Sequence, residues 1–131
     1  MKVLALDYGA ARTGLAVSDP TGTIARPLGV VERAASEAGL AELLEIAARE
    51  EVDQIVVGLP LTLRGEHGSQ ATETERFVEA LRAATDLPVD TFDERFTTRL
   101  AQANGGGAPV DAAAAAHLLT SYLAWLSELE I

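Results

Sequence analysis

The first hairpin of the chain, residues 2–19 (KVLALDYGAARTGLAVSD), constrains the fold more than any other stretch. Residues 3–6 form an apolar run that stops at Asp7, which is typical of a strand buried on both faces that leaves the core at an acid. Gly9 follows, and Gly14 lies inside the next strand. Because a strand glycine often marks the close approach of a ligand or another backbone, we interpret this corner as an anion or metal site. The alternative is that Asp7 only caps a turn.

Length and composition favour one folded unit over residues 1–131, since 48% of them are hydrophobic. The absence of cysteine excludes disulfides, thiolate metal sites and a cysteine nucleophile. No apolar run is long enough for a membrane span and the chain begins with a strand, so a cytoplasmic protein is expected. The net charge of −10 contrasts with the basic footprint usual in nucleic-acid binders, although a few arginines and bound divalent cations can shape a local field.

Hydrophobic periodicity and turn residues predict five strands and four helices along the chain. Ser36 is predicted to cap the first helix and Ser69 the second, with a capping box at Thr72 and Glu75 as the alternative start. A mobile loop is expected over residues 61–70. The predicted strands are 3–6, 13–18, 23–32, 53–59 and 88–92, and the predicted helices are 37–51, 69–85, 97–103 and 109–129.

This order, β-β-β-α-β-α-β-α-α, predicts an α/β fold with a mixed five-stranded sheet. The first three strands have short connections and should be antiparallel, whereas helical crossovers make the fourth and fifth parallel. Helices then cover both faces, and the first strand is central beside the fourth. This is the pattern of the ribonuclease H-like fold.

Acidic residues from three separate elements fall at one end of that predicted sheet. Asp7 ends the first strand, Asp93 and Glu94 follow the fifth, and Asp111 lies in the first turn of the last helix. Magnesium prefers oxygen ligands, and two-metal phosphodiester cleavage needs such carboxylates. Each acid also has a plainer interpretation: Asp111 as a helix-start acid, Asp93 as a helix cap, and Glu94 as an ion-pair partner.

Arginines are predicted near the same loops. Arg12 and Arg95 adjoin the acids, so we expect them to contact phosphate, which a guanidinium matches bidentately. Arg64, in the expected mobile loop, is a further candidate, and Gly9 and Gly14 complete the predicted substrate-binding set. Surface pairing with the many glutamates is the alternative for each arginine.

Four blocks, in the family's order and spanning nearly the whole chain, resemble the YqgF/RuvX family: LDYGAARTGLAVSD, VVGLPLTLRGEHGSQA, DERFTT and VDAAAAAHLLTSYL. The resemblance implies a ribonuclease H-like fold and a relation to the Holliday junction resolvase RuvC. It also implies that Asp7, Glu94 and Asp111 form the catalytic, metal-binding set for Mg²⁺ or Mn²⁺, with Asp93 as the alternative neighbour.

The resulting expectation is a metal-dependent nuclease that hydrolyses phosphodiester bonds of structured nucleic acid. Through the resemblance, the substrate is the 5′ end of pre-16S rRNA, or alternatively branched DNA at a Holliday junction, which would require two active sites and hence a homodimer. Two other classes remain open. The DYGAARTG loop resembles that of nucleotide-binding phosphotransferases, which use two such domains, and the acidic balance suits a non-catalytic RNA- or protein-binding module.

Overall fold

A computed structural model describes residues 1–60, 68–93 and 110–129 of the chain. The predicted helix 97–103 lies outside them. The elements are β1 (Val3–Asp7), β2 (Arg12–Ser18), β3 (Ala25–Glu32), α1 (Glu37–Arg49), β4 (Gln54–Leu59), α2 (Ser69–Ala84), β5 (Val89–Asp93) and α3 (Val110–Leu129).

The strands form one mixed sheet in the order β3-β2-β1-β4-β5. β2 pairs antiparallel with both β1 and β3, whereas β4 pairs parallel with both β1 and β5. The predicted topology, with β1 central beside β4, is therefore confirmed. No helix within the described part of the chain is long and apolar enough to cross a membrane.

β1 has a buried apolar run because both faces of the sheet are covered. Leu4 and Leu6 pack into a core cluster with α1 and α2, which we call the α1/α2 face. Val3 and Ala5 alternate to the other side and pack with α3, which we call the α3 face. The predicted helices on both faces are thus confirmed.

α1 begins as predicted. The Ser36 hydroxyl accepts a hydrogen bond from the backbone N–H of Gly39 at 3.0 Å, which satisfies one donor of the first turn. The helix ends at Arg49, two residues before the predicted end. Glu51 adopts a left-handed φ of 55°, which terminates the helix, so its predicted membership of α1 was wrong.

Other boundaries shift by one or two residues for local polar reasons. β3 starts at Ala25 because the Asp19 carboxylate accepts the backbone N–H groups of Thr23 and Ile24 and holds them in the turn. These bonds also hold the pKa of Asp19 well below its usual range. Gly68, rather than Ser69, is the N-cap of α2, so the helix begins at Ser69 as predicted but neither predicted cap was right.

The three predicted core helices present the expected apolar faces to the sheet, with one exception. On α2, Phe77 and Leu81 are buried. On α3, the sequence pattern predicts that Tyr122 and Leu129 both face the sheet; Tyr122 is buried, whereas Leu129 is 63% exposed, so the prediction for Leu129 was wrong. α3 therefore packs against the sheet as far as Leu126, and its last residues, 127–129, are exposed.

Candidate active site

Asp7 stands where the central strand leaves the core. It is the last residue of β1 and is half-buried. Strand alternation from Val3 and Ala5 places Asp7 on the α3 face. The following turn is tight at Gly9, because a Cβ there would lie 2.4 Å from the carbonyl oxygen of Arg12. A glycine is therefore required for the chain to turn back into β2 directly after the acid.

Gly14 connects Asp7 to the start of α3. It lies opposite Asp7 in the antiparallel β1–β2 ladder, and it is buried. A Cβ built on Gly14 would lie 1.8 Å from the carbonyl oxygen of Asp111. The first turn of α3 thus rests directly on the strand beside Asp7. The backbone of Asp111 lies against the ladder partner of Asp7, although 104 positions separate the two acids in the sequence.

Arg12 pairs with Asp111 across the same corner. Its Nε atom lies 3.6 Å from Oδ2 of Asp111, with the two side chains 66% and 39% exposed. Arg12 shares the strand parity of Gly14 and so belongs to the α3 face. Arg12 thus forms an ion pair, which was the alternative to the predicted phosphate contact. Its guanidinium is nevertheless accessible to solvent.

The end of β5 lies two strands away from Asp7, beyond β4. Phe92 packs in the cluster of the α3 face. The next residue, Asp93, pairs with Leu59 and by alternation takes the α1/α2 face, opposite to Asp7. Strand parity thus puts the side chains of Asp93 and Asp7 on opposite faces of the sheet, and the choice between Asp93 and Glu94 as a ligand stays a prediction. Glu94 lies outside the described residues.

A cavity of about 210 Å³ opens beside Asp7 toward α2. Sequence reasoning missed its lining, which includes Tyr8, Gln70, Glu73 and Thr74. The rings of Tyr8 and Phe77 stack with their centroids 4.4 Å apart. Helical spacing from Phe77 could therefore have identified the lining residues on α2. Residues three and four positions earlier on α2 share that face.

Tyr8 is held in its neutral form at this cavity. Burial raises the pKa of Tyr8, and the negative charge of Glu73 raises it further. A tyrosine is protonated near neutral pH in any case, so the phenol can donate a hydrogen bond into this cavity.

The donor set suits a hard divalent ion. Asp7 and Asp111 offer carboxylate oxygens from two elements, and Mg²⁺ is commonly held by one or two carboxylates together with water and substrate phosphates. Within the part of the chain that the structure describes, no group of three or more acidic or histidine side chains is arranged to hold a metal ion. The described residues thus supply part of a site.

Several predicted site residues lie outside the described ranges: Glu94, Arg64, Arg95 and most of the loop 61–70. Their roles stay predictions. Asp53, directly before β4, lies at the opposite end of the sheet from Asp7, where its carboxylate accepts the backbone N–H of Lys2 at 2.8 Å.

Known proteins resemble this chain both in sequence and in fold. The family model described as "RuvX: Holliday junction resolvase" matches residues 1–125. A protein of Chloroflexus aggregans named "Putative pre-16S rRNA nuclease" is 42% identical, over 92% of each chain. One of the same name from Maridesulfovibrio salexigens is 43% identical, over 78% of this chain and 76% of its own. RuvC of Thermus thermophilus, solved with a Holliday junction substrate, superposes with a TM-score of 0.65 at 20% identity, covering 99% of this chain and 96% of that one.

The sheet topology and the structural match show a ribonuclease H-like fold. The family model and the curated relatives show a nuclease, which hydrolyses phosphodiester bonds. The chain belongs to the RuvX family. The family resemblance stated from the four sequence blocks is thereby confirmed.

Proposed function

We propose that this chain is a Mg²⁺- or Mn²⁺-dependent nuclease that processes the 5′ end of pre-16S rRNA. One observation carries the chemistry: Gly14 brings the first turn of α3, with Asp111, against the strand that pairs with Asp7. In this proposal the carboxylates of these two distant elements act together at the end of the central strand. The names of the relatives from Chloroflexus aggregans and Maridesulfovibrio salexigens support the choice of RNA.

In this proposal Asp7 and Asp111 hold the ion, and Glu94 completes the set as the family resemblance implies. When bound, a divalent ion neutralises charge on the phosphate and lowers the pKa of water at the site. A Mg²⁺ ion retains several waters, so it can bind to so few carboxylates. Asp93 is left out of the set because its strand parity is that of the opposite face.

Arg12 has a second role in the proposal. Its ion pair with Asp111 is exposed, so the guanidinium can leave the carboxylate at little cost when the ion and a phosphate arrive. The planar fork then binds two phosphate oxygens and orients the backbone at the scissile bond. Tyr8, which lines the cavity beside Asp7, donates a hydrogen bond to the same strand of nucleic acid.

A Holliday junction is the second candidate substrate, because the matching family model carries that description. The two substrates separate in one experiment. Purified protein is incubated with a pre-16S rRNA fragment and with a four-way DNA junction, each with Mg²⁺, with Mn²⁺ and with chelator. We expect metal-dependent cleavage of the rRNA fragment near its 5′ end.

Asp7→Asn is the test variant and Asp53→Asn is its matched control, since Asp53 lies at the opposite end of the sheet. Asp7→Asn should abolish cleavage and Asp53→Asn should retain it. Cleavage of the junction alone would assign the chain to resolution, and binding without any cleavage would assign it to a non-catalytic module. Full activity of a folded Asp7→Asn protein would refute the site.

A further inference from the structure

We propose that Gly14 is the positioning residue of the site: it holds no ligand, but its missing side chain sets the distance between Asp7 and Asp111. This inference rests on the proposed function. It replaces the substrate contact expected for Gly14 with a contact to the backbone of α3.

The contact is too close for any side chain. A Cβ on Gly14 would lie 1.8 Å from the carbonyl oxygen of Asp111, 2.3 Å from its carbonyl carbon and 2.9 Å from the backbone nitrogen of Ala112. Real Cβ atoms essentially never approach heavy atoms within 3.0 Å. All three neighbours are backbone atoms, so no rotamer change on α3 can relieve the overlap.

The strand cannot give way in place of the helix. Gly14 is paired with Asp7 on one side and with Val30 of β3 on the other, so β2 is held by ladders at both edges. An added methyl group must therefore push the start of α3 outward, by about 1.6 Å to restore an ordinary contact of 3.4 Å. Asp111 would move with it, away from Asp7.

The rest of α3 shows the same close packing. Ala112 and Ala115 are completely buried, and their small side chains let the helix lie low on the sheet. Gly14 is the matching small residue on β2, and it lies directly below Asp111, whose carboxylate must be positioned. A displacement of an ångström in a catalytic constellation can cost on the order of 100-fold in rate.

The test is Gly14→Ala in the full chain, with Val17→Ala as the control. Val17 lies on the same strand but on the α1/α2 face, so its truncation destabilises the core without touching α3. The readouts are Mn²⁺ affinity by calorimetric titration, the metal-induced rise in Tm, and kcat for cleavage, all well below the Tm of each variant. Gly14→Ala should lose at least tenfold in Mn²⁺ affinity and about 100-fold in kcat, whereas Val17→Ala keeps both.

A double-mutant cycle shows whether Gly14 acts through Asp111. In the Asp111→Asn background, Gly14→Ala should cause no further loss of Mn²⁺ affinity, because the displaced carboxylate is already gone. Equal losses in both backgrounds would overturn the proposal. So would a folded Gly14→Ala protein with the affinity of the wild type.

Ala115→Val covers the case in which Gly14→Ala does not fold. The larger side chain lifts the same end of α3 one turn later and leaves β2 unchanged, so it should also weaken Mn²⁺ binding at least tenfold. Wild-type affinity in a folded Ala115→Val protein would refute the proposal. If Asp7→Asn and Asp111→Asn themselves left Mn²⁺ binding and cleavage intact, the proposed function would fail first, which distinguishes the two failures.

Discussion

Asp111→Asn separates a metal ligand from a helix-start residue. In the metal-free protein three effects oppose one another. The exposed ion pair with Arg12 contributes roughly 0.2–1 kcal/mol at most, and the acid at the start of α3 about 0.3–1 kcal/mol. Relief of repulsion between Asp111 and Asp7 has the other sign. We therefore expect the free energy of unfolding without metal to change by less than about 1 kcal/mol.

The metal response should change far more. At a metal concentration 100 times the wild-type Kd, binding stabilises the native state by about 2.7 kcal/mol. For a chain of this size that raises Tm by roughly 8–13 °C. If Asp111 is a ligand, a tenfold weaker Kd removes about 1.4 kcal/mol of that gain, or roughly 4–7 °C.

Calorimetric melting of wild type, Asp111→Asn and Asp53→Asn, with and without Mg²⁺, measures both quantities. Asp53→Asn makes the same chemical change at the opposite end of the sheet, so it should keep the full metal-induced gain. A full gain together with full cleavage in Asp111→Asn would show that this residue only contributes to the first turn of α3 and binds no metal. The site would then be wrong at that position.

Three further predictions follow from the same geometry. Arg12→Ala should reduce the slope of log K against log salt for nucleic-acid binding by about one, whereas Arg26→Ala, at another exposed ion pair, should not; equal slopes would leave Arg12 only an ion-pair role. Burial and a nearby carboxylate raise the pKa of Tyr122 to about 12, so its contribution to stability should be complete below pH 10 and lost as the pH rises toward 12; this pH dependence, measured by denaturant unfolding, should be smaller in Tyr122→Phe. Glu73→Gln should lower the pKa of Tyr8 in an ultraviolet titration, and an unchanged value would place the cause in burial alone.

The order and direction of the strands could be predicted from the sequence, because hydrophobic patterning and the length of the connections determine them. The apolar run ending at Asp7, the short turns around β2 and the helical crossovers fixed strand order and direction. The ends of strands differ from the prediction where a polar side chain takes the backbone hydrogen bonds that strand pairing would otherwise use. The carboxylate of Asp19 illustrates this: its hydrogen bonds to Thr23 and Ile24 delay β3, and no periodicity encodes them.

The candidate site was predictable only in part. Asp7 and Asp111 were identified as acids at element ends, which local sequence can reveal. The close approach of α3 to β2 could not be predicted, because it depends on a tertiary contact between Gly14 and the backbone carbonyl of Asp111. The cavity wall formed by Gln70 and Glu73 was missed for a similar reason: polar residues on α2 face the site only because Phe77 orients the helix against Tyr8.

The acidic character of the chain is consistent with this arrangement. With a net charge of −10 and with Asp7, Glu73 and Asp111 around the mouth of the sheet, the corner repels a phosphate backbone until a cation neutralises it. Arg12 supplies one positive charge there, and it is already paired with Asp111. A divalent ion would satisfy both carboxylates and release Arg12 for phosphate. Under the proposed function, metal binding and substrate binding would therefore be coupled through Arg12, and a strongly acidic protein would bind nucleic acid only with the ion in place.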